Sequence, residues 1–254
     1  MGALEENPSG CLLCGAELVY LATSEAMACE GCGAVLPSRA RCGAGHFVCD
    51  ACHSGDANDA VERVCAAADE ADPVAIALRA MRHPRVRMHG PEHHFLVPAA
   101  LLAAWCNARG AAGERAGRVA EARRRAAPLV GGMCGTQGAC GAAVGTGIFA
   151  SVALGVTPLS TEDWGRAQRL TARALGVVAD TGGPRCCKRD SWLALLEGAR
   201  FAREVLGVGV PASGPACEFS GRNRQCLEDD CAFHRAGPDG AGSTGAPSSG
   251  SIGP

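Results

Sequence analysis

Residues 131–156 read GGMCGTQGACGAAVGTGIFASVALGV, and how this stretch is read decides the fold. Its second half, from Cys140 to Val156, is the longest apolar run in the chain. Its length approaches that of a short membrane span, but it is rich in Gly, Ala, Ser and Thr and has no flanking aromatic anchors. It is therefore read as a helix buried among other helices. Its first half is a glycine-rich loop carrying Cys134 and Cys140. Cys140 opens the helix, and a helix N-terminus favours thiolate, which makes it a candidate reactive thiol or cluster ligand.

Outward from this run, residues 56–207 are rich in Ala, Leu and Arg. Their periodicity predicts helices near 57–70, 73–82, 95–109, 113–127, 140–154, 161–178 and 189–206. Thr161 marks one start, and Asp190 with Ser191 are read as caps of the last helix. Val205, Val208 and Val210 suggest one short strand. No βαβ alternation and no phosphate loop after a strand is present, so nucleotide folds are excluded. The fold class is mainly α. A helical domain (56–210) is preceded by a zinc-ribbon-like module (1–55) and followed by a short Cys3His cluster (211–236), with 237–254 read as a disordered tail.

The whole chain has 254 residues, 47% of them apolar, and a formal net charge of −2. That balance gives no general attraction to nucleic acid or anionic membranes. Met1 to Gly10 carries two glutamates and no apolar run, so no signal peptide is expected and the cytoplasm is the expected location. Thiols stay reduced there, so the 16 cysteines are read as metal or redox groups rather than disulfides.

Seven of them lie in residues 11–53. Cys11-x2-Cys14 and Cys29-x2-Cys32 have zinc-ribbon spacing, each knuckle being followed by glycine (Gly15, Gly33). Cys42-x3-His46-x2-Cys49-x2-Cys52, with His53 adjacent, supplies a second Cys3His set and resembles the middle of a RING-type module. The final cysteine pair of a RING ubiquitin ligase is absent. Sequential pairing joins Cys11, Cys14, Cys29 and Cys32; a cross-braced arrangement joins alternate knuckles, and spacing alone does not choose. Four-ligand sites of this kind are structural, zinc standing in for a core too small to fold alone.

Two further polar segments stand out. Met88 to Phe95 contains His89, Glu92, His93 and His94, with Pro91 predicted in the first turn of a helix. The positive end of that helix favours neutral imidazole, the metal-binding form. The order His89-x2-Glu92-His93 echoes an inverted zinc-protease motif, but Pro91 sets His89 before the helix. In Gly182 to Arg189, Cys186 and Cys187 stand beside Arg185, Lys188 and Arg189, cations that favour thiolate. Cys134, Cys140, Cys186 and Cys187 suffice for a metal, an Fe–S cluster or a dithiol pair. In this scheme Glu92 or His93 moves protons, Cys140 and Cys187 do the chemistry, and His89, His93 and His94 are metal ligands. Cys65 and Cys106 fall within helices among alanines and are read as core.

At the other end, Cys217-x8-Cys226-x4-Cys231-x2-His234 has a Cys3His inventory similar to CCCH fingers, with Phe219 and Phe233 nearby. Glu228, Asp229 and Asp230 inside it repel phosphates, so nucleic acid is not the expected partner and a structural metal is.

Together these motifs resemble domain of unknown function 5714, a family found mostly in anaerobic prokaryotes. The resemblance is carried by the Cys11-x2-Cys14-Gly15 start, the run at 45–53, His89 to His94, the loop at 134–145, Cys186-Cys187 and the closing Cys217, Asn223, Cys226 and Cys231. The loop at 138–145 is also similar to the C-GCAxxG-C-C redox family, with Gly141 inserted between Cys140 and Ala142. The residues themselves predict a redox or metal-dependent enzyme or accessory factor; the resemblance, which brings no settled activity, implies a radical-SAM or methyltransferase partner. The alternative is a non-enzymatic zinc module that binds a protein or RNA.

Overall fold

The helix Glu92–Ala108 has apolar residues on every side, which suits only a position surrounded by other helices. The computed structural model places it there; it describes residues 11, 13–14, 16–49, 52 and 57–234. His53, Gly15 and the tail read as disordered lie outside the described residues. The chain divides into two units, Met1–Pro215 and Ala216–Pro254.

In the first unit, strands β1 (Leu18–Ala28) and β2 (Val35–Cys42) form an antiparallel hairpin. Helices follow: α1 (Ala57–Ala67), α2 (Pro73–Met81), α3 (Glu92–Ala108), α4 (Arg115–Ala126), the single turn α5 (Met133–Thr136), α6 (Gly141–Leu154), α7 (Glu162–Thr181) and α8 (Cys187–Glu204). α3 packs against α1, α2, α4, α6 and α8, and α7 packs on α6 and α8. Trp105, Phe149 and Phe201 make an edge-to-face chain through α3, α6 and α8, with centroids 6.5 and 6.4 Å apart. Among the described residues no helix is long and apolar enough to cross a membrane, and the 131–156 stretch is indeed a buried helix behind a loop.

Glycine lets α6 approach α3 closely. A Cβ on Gly145 would lie 2.9 Å from the His94 carbonyl oxygen and 2.8 Å from Pro98. Pro98 lacks the N–H that would otherwise bond that carbonyl, so the two departures from ordinary helix chemistry meet at one crossing. α2 begins at Asp72, whose Oδ1 accepts the N–H groups of Val74 and Ala75, with Pro73 in the first turn.

Two sequence readings are corrected. Residues 205–210 form no strand: the chain turns at Gly207 (φ 67°), and a lone strand has no partner for its ladder. Asp190 and Ser191 are not caps of α8. That helix starts two residues earlier, at Cys187, with Cys186 as its cap, and both residues are buried within it. The hairpin, by contrast, had no counterpart in the helix-centred reading.

Candidate metal centres and thiol cleft

The hairpin determines how the knuckles pair. Its register sets Leu18 opposite Cys42, so the Cys11/Cys14 knuckle before β1 lies beside the end of β2. Cys29 and Cys32 occupy the turn at the other end. Alternate knuckles therefore meet. Cys11, Cys14, Cys42 and His46 form one group, and Cys29, Cys32, Cys49 and Cys52 the other, the donor atoms within each lying inside 4.8 Å of one another. The cross-braced pairing holds and the sequential one does not.

A tetrahedral ion at about 2.3 Å from each sulfur needs donors roughly 3.8 Å apart. Observed separations are 4.0 Å for Cys14–Cys42, 3.7 Å for Cys11–His46 Nδ1 and 3.9 Å for Cys32–Cys49. Backbone amides also aim at the sulfurs: Leu13 N–H to Cys11 and Gly31 N–H to Cys29, both at 3.4 Å, and Cys49 N–H to Cys29 at 3.3 Å. Each group can hold a metal ion.

The second group is seated on the helices. Arg63 from α1 donates to Cys52 Sγ at 3.9 Å. The buried ring of His83 covers Gly31, where a Cβ would lie 2.5 Å from His83 Cδ2. Burial, with Arg63 nearby, lowers the His83 pKa to about 4. Neither Arg63 nor His83 was singled out from sequence, because a lone Arg within one helix and a lone His just past the end of the next carry no motif.

The central residues come together at the N-termini of α6 and α8. Cys140 and Cys186 are the N-caps of these two helices. Neither sulfur makes a side-chain capping hydrogen bond, but the backbone amides of Ala142 and Ala143 beside Cys140, and of Lys188 and Arg189 beside Cys186, favour the charged form of each thiol. The Gly90 backbone amide favours the charged form of Cys187, which is close enough to Cys140 for their charges to interact. Cys134 and Cys140 line a cleft of about 800 Å³ together with Gly138, Arg185, Arg189 and Asp190. No three donors of this cluster lie within 4.8 Å of one another, so the spacing is wider than in the N-terminal groups.

His93 and His94 lie under this cleft. The ring of His94 packs on Gly141, where a Cβ would come within 2.1 Å of Cδ2. His93 Nδ1 donates to the Gly90 carbonyl at 3.1 Å, fixing the tautomer, and its Nε2 is buried with no hydrogen-bond partner. Both imidazoles are held neutral, His93 well below the ordinary histidine range, chiefly by burial. The direction matches the sequence reading, but desolvation rather than the helix dipole dominates. Glu92 is buried and accepts the Arg87 N–H at 2.7 Å, so it anchors the loop before α3.

The thiols depart from expectation. Burial pushes Cys140, Cys186 and Cys187 up, Cys187 to about 11, and the nearby Asp190 carboxylate adds to each shift. The neighbouring backbone amides and Arg189 pull the other way and lose. Asp190, 4% exposed and bonded by Arg189 Nε at 3.1 Å, is the site residue that sequence reasoning missed, having assigned it to a cap. Cys65 and Cys106 are fully buried core residues, as read, with Cys65 pushed up to about 12 by burial.

Cys217, Cys226, Cys231 and His234 all lie in the second unit; no three of their donors are within 4.8 Å.

Fold and site together define a cysteine-rich helical protein with a cross-braced N-terminal module whose two ligand groups could each hold a metal ion. Residues 61–234 match the model described as a family of unknown function, DUF5714, and the chain belongs to that family. The matched span begins after the N-terminal metal groups. No curated protein and no solved structure matches the chain.

Proposed function

We propose that the protein is a thiol-dependent metalloprotein of redox or group-transfer chemistry, working at the cleft between the N-termini of α6 and α8. The observation that supports this most is the convergence of Cys134, Cys140, Cys186 and Cys187, from two loops far apart in sequence, at two helix N-termini whose backbone amides favour thiolate. Amides so placed stabilise sulfur carrying negative charge. Burial and Asp190 nevertheless favour the protonated form of Cys140, Cys186 and Cys187 without metal, so the arrangement is completed by a bound cation that displaces the protons. Cysteine ligands spaced too widely for one ion suit an iron–sulfur cluster, which fills the space between them, and zinc is the alternative occupant.

Within this reading the chain's residues have distinct tasks. Cys134, Cys140, Cys186 and Cys187 hold the centre. The Nε2 of His93 and the rings of His89 and His94 supply further donors. Asp190, beside the thiols, takes and returns protons. The two N-terminal groups hold zinc, closed and structural. The source of electrons or of the transferred group is a partner of radical-SAM or methyltransferase type, which the family resemblance supports.

Metal analysis and UV–visible spectra of anaerobically purified protein test this by difference. Cys140→Ser is expected to lose the metal or chromophore of one centre while keeping the rest. An unchanged metal count and spectrum contradict the proposal.

A second reading has its own support. Leu18, Val19, Tyr20, Val35 and Leu36 are exposed on the hairpin, Tyr20 at 77%. Exposed apolar side chains on a hairpin with a cysteine group at each end suit a zinc module that binds a protein partner. That reading has metal in the terminal clusters only and leaves the Cys140→Ser spectrum unchanged.

A further inference from the structure

The unit that begins at Ala216 has only two single-turn 3-10 helices, Ser220–Arg222 and Glu228–Asp230, as regular structure among its described residues. Its buried side chains are Phe219, Asn223 and Phe233. So short a segment cannot bury enough apolar surface to offset the entropy of ordering its chain, and compact units of this size are held by a disulfide or a metal. Its three cysteines are free thiols.

Their local geometry repeats that of the N-terminal metal groups. There the N–H two residues on points at Cys11 and Cys29 Sγ, at 3.4 Å in both cases. Here Phe219 N–H points at Cys217 Sγ and Glu228 N–H at Cys226 Sγ, again at 3.4 Å. The Cys217 N–H bonds the Phe233 carbonyl at 2.6 Å, which lays the Cys231–His234 end against the Cys217 end. Independently, His234 Nδ1 lies 3.5 Å from Asp229 Oδ1. A carboxylate on one ring nitrogen is the usual partner of a metal-bound histidine, and it turns Nε2 outward as the ligand.

We propose that Cys217, Cys226, Cys231 and His234 form a third metal site, binding a zinc-class divalent ion through three thiolates and His234 Nε2, with Asp229 orienting the imidazole. A Cys3His donor set suits zinc in a closed structural site. The donors stand wider apart than in the N-terminal groups, so the ion draws them in and metal binding completes the folding of this unit. The site shares no residue with the thiol cleft and does not depend on the activity proposed there.

The test uses full-length protein loaded with Co²⁺, read by metal content, ligand-field spectrum and helical circular dichroism. Cys226→Ser and Cys231→Ser are each expected to lose one metal equivalent with the helical signal unchanged, and Cys140→Ser loses a different one or none. His234→Cys is expected to retain the ion and shift its ligand-field bands to lower energy, as a fourth sulfur replaces nitrogen. Asp229→Asn is expected to weaken binding at this site about tenfold. Unchanged metal content in both serine variants overturns the proposal. If a serine variant fails to fold, the His234→Cys spectrum decides, and an unshifted spectrum overturns it.

Discussion

At the scale of single residues, Asp190 adds to what burial does to its neighbours. It is buried, lines the cleft, and its charge joins desolvation in raising three thiols whose neighbouring backbone amides pull the other way. Asp190→Asn removes that charge with little change of shape. In metal-free protein at pH 8 the thiolate fraction of Cys187 should then rise, by about tenfold for each unit its pKa falls. Alkylation of Cys187, followed by mass spectrometry, should become several-fold faster; an unchanged or slower rate would show that Asp190 does not act on the thiols. The sequence displayed Cys186-Cys187-Lys188-Arg189-Asp190 in full, yet the sign of the thiol shift was not legible in it. Adjacent cations and a helix start argue for thiolate, and only the packing reveals that desolvation outweighs both.

At the scale of elements, the knuckles were readable because ligand spacing is local. The pairing of knuckles was not, because it depends on the strand register between Leu18 and Cys42. The hairpin was hidden for a related reason: its residues are exposed on both faces, so no alternating apolar pattern marks it. Such a hairpin has almost no core of its own; the buried cluster beside it consists of Cys29, Cys49 and Cys52. Chelation should therefore open the hairpin while leaving α1–α8 folded. Limited proteolysis after chelator treatment should cut first within residues 18–42, with the helical circular dichroism retained. Protection of the hairpin without metal would mean that it folds by other means. Of the eight helices among the described residues, seven were legible, in order, from periodicity; the single turn α5 was not. Their starts shifted at α3, which begins at Glu92 behind Pro91, and at α8, which begins behind Cys186, because neither N-cap residue makes the side-chain bond by which sequence rules mark a start.

For the whole molecule, buried titratable groups make stability depend on pH from both sides. His83, His93 and His94 are neutral inside the fold, with pKa values held below the ordinary 6.5 by burial. A folded pKa lower than the unfolded one gives stability that is complete above pH 6.5. It is lost as pH falls toward 4, the value for His83. Cys65, Cys106 and Cys187 are shifted the other way, Cys187 to about 11 and Cys65 to about 12. Their contribution is complete below the ordinary thiol value of 9 and declines as pH rises through 11 to 12. Urea midpoints of chelator-treated protein, read by helical signal, should accordingly form a plateau between about pH 6.5 and 9. A midpoint still rising below pH 6 would contradict the burial of these histidines.

The central claim is that the thiols at the α6 and α8 N-termini form a metal centre distinct from the N-terminal groups. Anomalous diffraction from anaerobically grown crystals, collected at the iron and zinc edges, addresses it most directly. The account predicts an anomalous peak bounded by Cys134, Cys140, Cys186 and Cys187, separate from those at the two cross-braced groups. Peaks at the cross-braced groups with none between α6 and α8 would contradict it.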